Sequence, residues 1–396
     1  MWGMYQLPMK QLKGVLFSRL ILWAFLPLML AGCRQEAPGT RAENTLDYAT
    51  GFTIAKHSET FTEVIVHTPW PEASTLLKYA FIDRTATIPD SLNTDTYKAV
   101  IRTPVRSLIA TSTTHIPALE ALGVLDRLKG FPDTRYISSA KARSRIDNHA
   151  IKDIGQNETM NTEMVLEMHP ELILGFSINE ENRSYAVLER SGIPVLYNGD
   201  WVEQHPLGKA EWVKLYGVMF GKEAVADSIF NAIATQYENT RALAQKAKRT
   251  PTVYSGAMFR DIWYLPAGES WAAQFLKDAN SDYLWKDTSG TGSLSLSFES
   301  VLEKAGEADV WLGAAQFTSY PQLIKANEHY ARFKAFKDRR VYTYSKTTGD
   351  AGGVLFYELA PQRPDLVLKD MIHILHPELL PDYEPVFYKP LDTLED

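Results

Sequence analysis

The feature that most constrains this chain is one long amphipathic stretch near its middle, flanked on both sides by short apolar runs that alternate with helical segments. From Lys222 to Lys246 the sequence reads as a single helix, with Val225, Ile229, Ile233 and Tyr237 at four-residue steps and Phe230 beside them. Glu223 and Asp227 lie near its start and Lys246 and Lys248 near its end, as the helix dipole favours. Pro251 prevents its continuation. Before it, Val105–Ala110, Leu172–Gly175 and Ile193–Tyr197 are apolar runs suited to buried strands. After it come Val253-Tyr254, Val310–Gly313 and Val341–Tyr344. Following the first run, Ser112, Thr113 and Thr114 offer N-caps to a helix over Ile116–Leu122 that Gly123 stops. Strands separated by helices imply parallel α/β layers on each side of the long helix.

An internal repeat supports that division. Thr162-Glu163-Met164-Val165-Leu166-Glu167 precedes Leu172–Gly175, and Phe298-Glu299-Ser300-Val301-Leu302-Glu303 precedes Val310–Gly313. Each copy gives a helix, a short loop, an acidic residue (Glu171 or Asp309) and an apolar strand closed by glycine. Residues 51–105 are different in character: Phe61–Val66 and Tyr79–Ile82 read as strands, with Pro69 and Pro71 between them.

The N-terminus carries its own signal. Lys10, Lys13 and Arg19 precede an apolar run from Leu20 to Leu30, closed by Ala31-Gly32-Cys33. A basic segment, a short apolar core and small residues form a secretory signal, and Leu-Ala-Gly-Cys reads as a bacterial lipobox. Cleavage before Cys33 would leave that residue, the chain's single cysteine, as the lipid site. The apolar run is shorter than the roughly 20 residues a spanning helix needs. Removing residues 1–32, with three basic and no acidic residues, takes the net charge from −7 to −10. So acidic a chain lacks the basic surface that nucleic-acid binding requires. The expected organisation is a signal peptide over 1–32, a lipid-anchored tether over 33–50, and an N-terminal α/β lobe with its β-rich extension over 51–220. A linker helix over 221–249 and a C-terminal α/β lobe over 250–396 complete it.

Several stretches carry a resemblance to a known family: Ser112–Gly123; Ile154-Gly155 with Met160–Leu166 and His169–Leu174; His205–Trp212; and Arg363–Asp370 with Leu375–Pro381. Across nearly everything from residue 50 onward the chain resembles the substrate-binding lipoproteins of ABC importers that handle iron–siderophore complexes, haem and cobalamin. The resemblance implies an α/β fold of two Rossmann-like lobes joined by one long α-helix, with an N-terminal β-rich extension and the ligand in the cleft between lobes. It further implies a monomer in the periplasm, lipid-anchored to a cell-envelope membrane, working with a permease dimer and its ATPase subunits. By motif, Glu163 and Glu299 are the carboxylates that dock to arginines of the permease, a pairing suited to charge-assisted bonds. The ligand is expected to be an iron chelate, or alternatively cobalamin, with no resident cofactor or metal.

Candidate ligand contacts come from loops at the cleft edge of each lobe: Thr114, His115, Arg135 and Tyr136 on one side, and Arg260, Trp263, Tyr264 and Phe317 on the other. The aromatic rings would stack on a planar chelate and the arginines would pair with anionic groups. Relatives carry an Asn-Asp-Phe-Trp-type segment where this chain has Asp350–Tyr357, a departure that bears on the ligand rather than the fold. A bare zinc or manganese receptor would use His67, His115, His205 and His373, but no His-x-His pair occurs. A hydrolase is not expected either, since the chain has neither a Gly-x-Ser-x-Gly elbow nor a His-Glu-x-x-His pair. An adhesin is the remaining reading, which ligand-dependent transport would exclude.

Overall fold

The apolar runs become strands, and their burial on both faces explains why they read as continuous rather than alternating. The structure, a computed structural model, describes residues 46–90 and 92–393. The described residues form one compact unit, and the signal segment, Cys33 and most of the tether lie outside them. Among the described residues no helix is long and apolar enough to cross a membrane.

The β-rich extension is a four-stranded sheet of β1 (Phe52–Ser58), β2 (Phe61–Val66), β3 (Leu77–Asp83) and β4 (Ala99–Thr103), in that order. The first three strands are antiparallel and β4 runs parallel to β3. Phe52, Val64, Val66, Tyr79 and Phe81 point from it into the main core. The tether expected to reach residue 50 is already part of the body by Asp47. Buried Glu211 accepts the backbone N–H groups of Asp47, Tyr48 and Ala49 at 2.9, 2.7 and 2.8 Å. Glu203 accepts those of Thr50 and Gly51 at 3.0 and 2.8 Å. Bonds of this charge-assisted kind contribute about 1.5–3 kcal/mol each.

The N-terminal lobe is built on β5 (Leu108–Ala110), β6 (Leu128–Phe131), β7 (Lys152–Asp153), β8 (Leu172–Gly175) and β9 (Val195–Tyr197). All are parallel, in the order β7-β6-β5-β8-β9. The 22-residue helix Glu223–Ala244 then leads to the second lobe. Its buried stripe is Ala226, Phe230, Ile233, Tyr237, Thr240 and Ala244, not the four-residue series read from the sequence. Val225 is exposed and Ile229 only partly covered. Steps of four drift round a helix of 3.6 residues per turn, whereas alternating threes and fours keep to one face.

The C-terminal lobe adds β10 (Thr252–Tyr254), β11 (Ala257–Phe259), β12 (Ile262–Pro266), β13 (Asp282–Tyr283), β14 (Ser293–Leu296), β15 (Val310–Leu312), β16 (Val341–Thr343) and β17 (Lys389–Pro390). Its main sheet runs β13-β10-β15-β16-β17, parallel except for β17. Strands β11, β12 and β14 form a separate antiparallel sheet. The two repeat copies occupy equivalent places. Helix Thr162–Met168 feeds β8 and helix Phe298–Ala305 feeds β15, each strand lying beside the first strand of its own sheet. The acidic residue of each copy is structural: Glu171 accepts the N–H of Arg106 at 2.8 Å and Asp309 that of Thr252 at 3.1 Å, pinning the neighbouring strand's start.

Candidate ligand-binding site

In open parallel sheets, ligands collect beyond the carboxyl ends of the strands. Here those ends in the two lobes meet at a direct contact between the loop after β6 and the loop after β16. Glu358, on helix Leu355–Leu359, accepts the backbone N–H groups of Ser138 (2.6 Å) and Ser139 (2.9 Å). The Ser138 hydroxyl donates to the Gly353 carbonyl at 2.8 Å, and Glu120 accepts from the Ser139 hydroxyl. The backbones approach so closely that only glycine fits. A Cβ on Gly353 would lie 2.2 Å from the Tyr136 carbonyl oxygen, and one on Gly349 2.6 Å from Cα of Ser138. A second contact crosses the seam where the buried Lys209 ammonium sits 5.0 Å from the Trp271 ring centroid.

Between these contacts each lobe presents a cavity. That of the C-terminal lobe measures about 490 Å³ and is walled by Phe259, Tyr264, Trp271, Tyr344, Phe356 and Tyr357, with Met258 and Gln316 among the rest. Its floor is stiff. The buried indoles of Trp263 and Trp311 donate to the carbonyls of Ser255 (3.0 Å) and Gly256 (2.8 Å). Gly256 has φ 78°, and a Cβ there would fall 1.8 Å from the Tyr264 carbonyl oxygen. Tyr344 stacks on Phe356 at 4.4 Å. The N-terminal lobe offers a polar counterpart of about 360 Å³, lined by Thr111, Thr113, Asp133, Tyr136, Asn157 and Glu158 among others. The Tyr185 hydroxyl donates to Oδ1 of Asn157 at 2.7 Å and the Asn157 amide donates to the Phe176 carbonyl at 3.1 Å, which fixes that wall. A further cavity of about 560 Å³ lies along the linker helix, lined by Ile229, Ile233, Glu120, Lys141, Glu358 and Arg363 among others. Its lining includes Ser139 and Glu358, so it is the gap beside the interlobe contact.

The structure sorts the expected contacts. Tyr136 and Tyr264 line cavities and are 55% and 40% exposed. Arg135 lies on the rim with its guanidinium paired to Asp133 (2.7 Å), and Arg260 sits exposed at the tip of the β11–β12 hairpin over the Phe259 ring. Three residues face inward and are corrected. His115 is fully buried at the head of helix His115–Ala121, its ring nitrogens without a hydrogen-bond partner among the described residues, and burial pushes its pKa down to about 3. Trp263 is fully buried because β12 alternates: Ile262 and Tyr264 face out, Trp263 and Leu265 face in. Phe317 is buried edge-on to Tyr330 at 6.0 Å. Thr114 is half-buried; its hydroxyl lies 3.0 Å from that of Ser112 and helps hold the buried Asp200 carboxyl, which burial pushes up to about 6. It gives helix His115–Ala121 no side-chain cap, contrary to the sequence reading. The interlobe residues Glu358, Ser138 and Ser139 and the cavity residues Trp271 and Tyr344 were not among the candidates.

Glu163 and Glu299 are exposed in the first turns of the two equivalent helices, which Asn161 and Ser297 cap. Neither forms an ion pair or hydrogen bond through its side chain among the described residues.

Two such lobes, a connecting helix and a cleft with paired cavities define a bilobal solute receptor, and sequence comparison agrees. The profile of the periplasmic binding protein family matches residues 108–348, and the chain belongs to that family. It is a substrate-binding protein of the ABC-importer type. An uncharacterized lipoprotein of Methanocaldococcus jannaschii is 28% identical over 294 residues, covering 72% of this chain and 68% of that protein. A second uncharacterized lipoprotein of the same organism is 22% identical over 393 residues, covering 92% and 96%. Among solved structures, a possible iron-binding (periplasmic solute-binding) protein from Staphylococcus epidermidis aligns with TM-score 0.54 at 16% identity, over 69% of this chain and all of that one. A periplasmic heme binding protein from Pseudomonas aeruginosa also gives 0.54 at 16% identity, over 74% and 100%. At these identities the structural likeness speaks for the fold.

Proposed function

We propose that this protein is the lipid-anchored receptor of an importer outside the cytoplasm, capturing an iron chelate between its lobes and presenting it to a permease through Glu163 and Glu299. The observation that carries this reading is a pair of cavities, one aromatic and one polar, each beyond the carboxyl ends of the parallel strands of its own lobe. A chelate has that split character, with an organic face that stacks on rings and a polar periphery that needs fixed hydrogen-bonding groups. Among the described residues no three His, Cys, Asp or Glu side chains converge as metal ligands.

Trp271 lines the aromatic cavity and reports on its occupancy. Titrating the protein with ferric siderophores, haem and cobalamin is expected to quench tryptophan fluorescence with submicromolar affinity for at least one of them. Trp271→Phe should lose a large share of that quench while retaining the affinity. Silence with every chelate would refute the reading. Anchoring is tested separately: Cys33→Ala should move the protein from the membrane fraction to an uncleaved or untethered precursor, and unchanged fractionation would refute lipidation at that residue.

A further inference from the structure

We infer that the cleft takes an uncharged ligand and discriminates against anionic chelates, a refinement that rests on the receptor reading above. The aromatic cavity is lined by 21 residues, and none of them is Asp, Glu, Lys, Arg or His. Its polar groups are neutral: the amide of Gln316, the hydroxyls of Ser255 and Ser293, and four tyrosines. Burial pushes two of those phenols, Tyr344 and Tyr388, above their usual range and so keeps them protonated.

The charges around the cavity do not change this balance. Lys209 stands behind the Trp271 ring, but its ammonium donates to the carbonyls of Asp200 (3.1 Å) and Trp201 (2.8 Å) and is balanced by the carboxylates of Asp200 and Glu203. Arg260 is at the exposed hairpin tip and is not part of the lining. The charged residues lining the N-terminal cavity are Asp133 and Glu158, both acidic, and the guanidinium of Arg135 is paired to Asp133. An anionic chelate would therefore lose water without gaining an unpaired cation and would face the Glu158 carboxylate. A neutral chelate meets neither cost. The proposed preference for a neutral ligand reverses the expectation that the arginines would select an anionic one.

The test titrates the full chain in detergent with two iron chelates of similar size: ferrichrome, a neutral ferric hydroxamate, and a trianionic ferric tris-catecholate. Cyanocobalamin serves as a second uncharged probe and haem, with its two carboxylates, as a second anionic one. An uncharged probe is expected to bind on the order of 100-fold more tightly than either anionic one, the scale set by burying unpaired charge. Gln316→Arg places a cation in the lining and should narrow that gap at least tenfold by strengthening the anionic probes. Tighter binding of an anionic probe by the unaltered protein overturns the charge preference while leaving the receptor reading intact. Binding of uncharged probes that is followed by no gain for Gln316→Arg overturns the assignment of this cavity as the selective site. Failure of all four probes overturns the receptor reading, and this inference with it.

Discussion

A Glu163→Ala/Glu299→Ala double variant is expected to bind its ligand within about twofold of the unaltered affinity, yet to support no uptake above background. The two carboxylates are exposed, in the first turns of helices that occupy equivalent places in the two sheets, and among the described residues no neighbour uses them. A surface glutamate at a helix N-terminus contributes only about 0.3–1 kcal/mol to its own helix, so replacing it leaves the fold in place. A carboxylate paired to a guanidinium across an interface contributes about 1.5–3 kcal/mol, and two such pairs set orientation as well as affinity. Each single variant should therefore weaken transport at low receptor concentration and recover as the receptor is raised, while the double variant should not recover. Uptake into proteoliposomes carrying the permease, measured beside a fluorescence titration of the free receptor, separates the outcomes. A fall in ligand affinity that parallels the fall in uptake would remove both residues from the docking role.

The sequence was most legible where burial is simplest. Strands β8, β9, β10, β15 and β16 are covered on both faces, so each appears as a short apolar run. The helix–strand repeat was legible for the same reason, and it located Glu163 and Glu299 in equivalent places. Segment 257–266 was misread because an antiparallel strand with one wet face alternates aromatic residues in and out. A cleft loop rich in rings has the same composition, and only the period of two tells Tyr264 from Trp263. His115 follows a run of cap-forming residues, yet its side chain turns into the core, which no local pattern records. The interlobe contact was out of reach altogether. Ser138 and Glu358 are 220 residues apart, and the glycines that let the backbones touch look like any loop glycines until the opposing carbonyl is in place.

Loosening that contact is the second change with a large expected effect, and it carries a pH signature. Glu358 is 3% exposed and its carboxylate accepts two backbone N–H groups from the other lobe. Burial pushes its pKa up to about 7; the bonds from Ser138 and Ser139 pull the other way, and Glu120 adds to the rise. Glu120, Lys141, Arg363 and Asp365 are the charged groups that share its cavity. When the lobes part, the carboxyl returns to water and to the ordinary glutamate value of about 4.3. Closing the contact thus takes up a proton in the window between those two values. Its contribution to closure is fully present below about 4.3 and is lost as the pH rises through about 7. The distance between dyes placed on the two lobes should therefore lengthen between about pH 4.5 and pH 7 and level off above that, with faster ligand release over the same range. Glu358→Gln cannot titrate and should flatten both changes; an unaltered pH profile in that variant would remove Glu358 as their source. Gly353→Ala tests the geometry without altering charge. Its Cβ cannot share space with the Tyr136 carbonyl, so the loops must separate and lose the Ser138 bonds, about 2–3 kcal/mol. Ligand release should quicken by roughly 30- to 150-fold at every pH, while the thermal unfolding of each lobe stays in place.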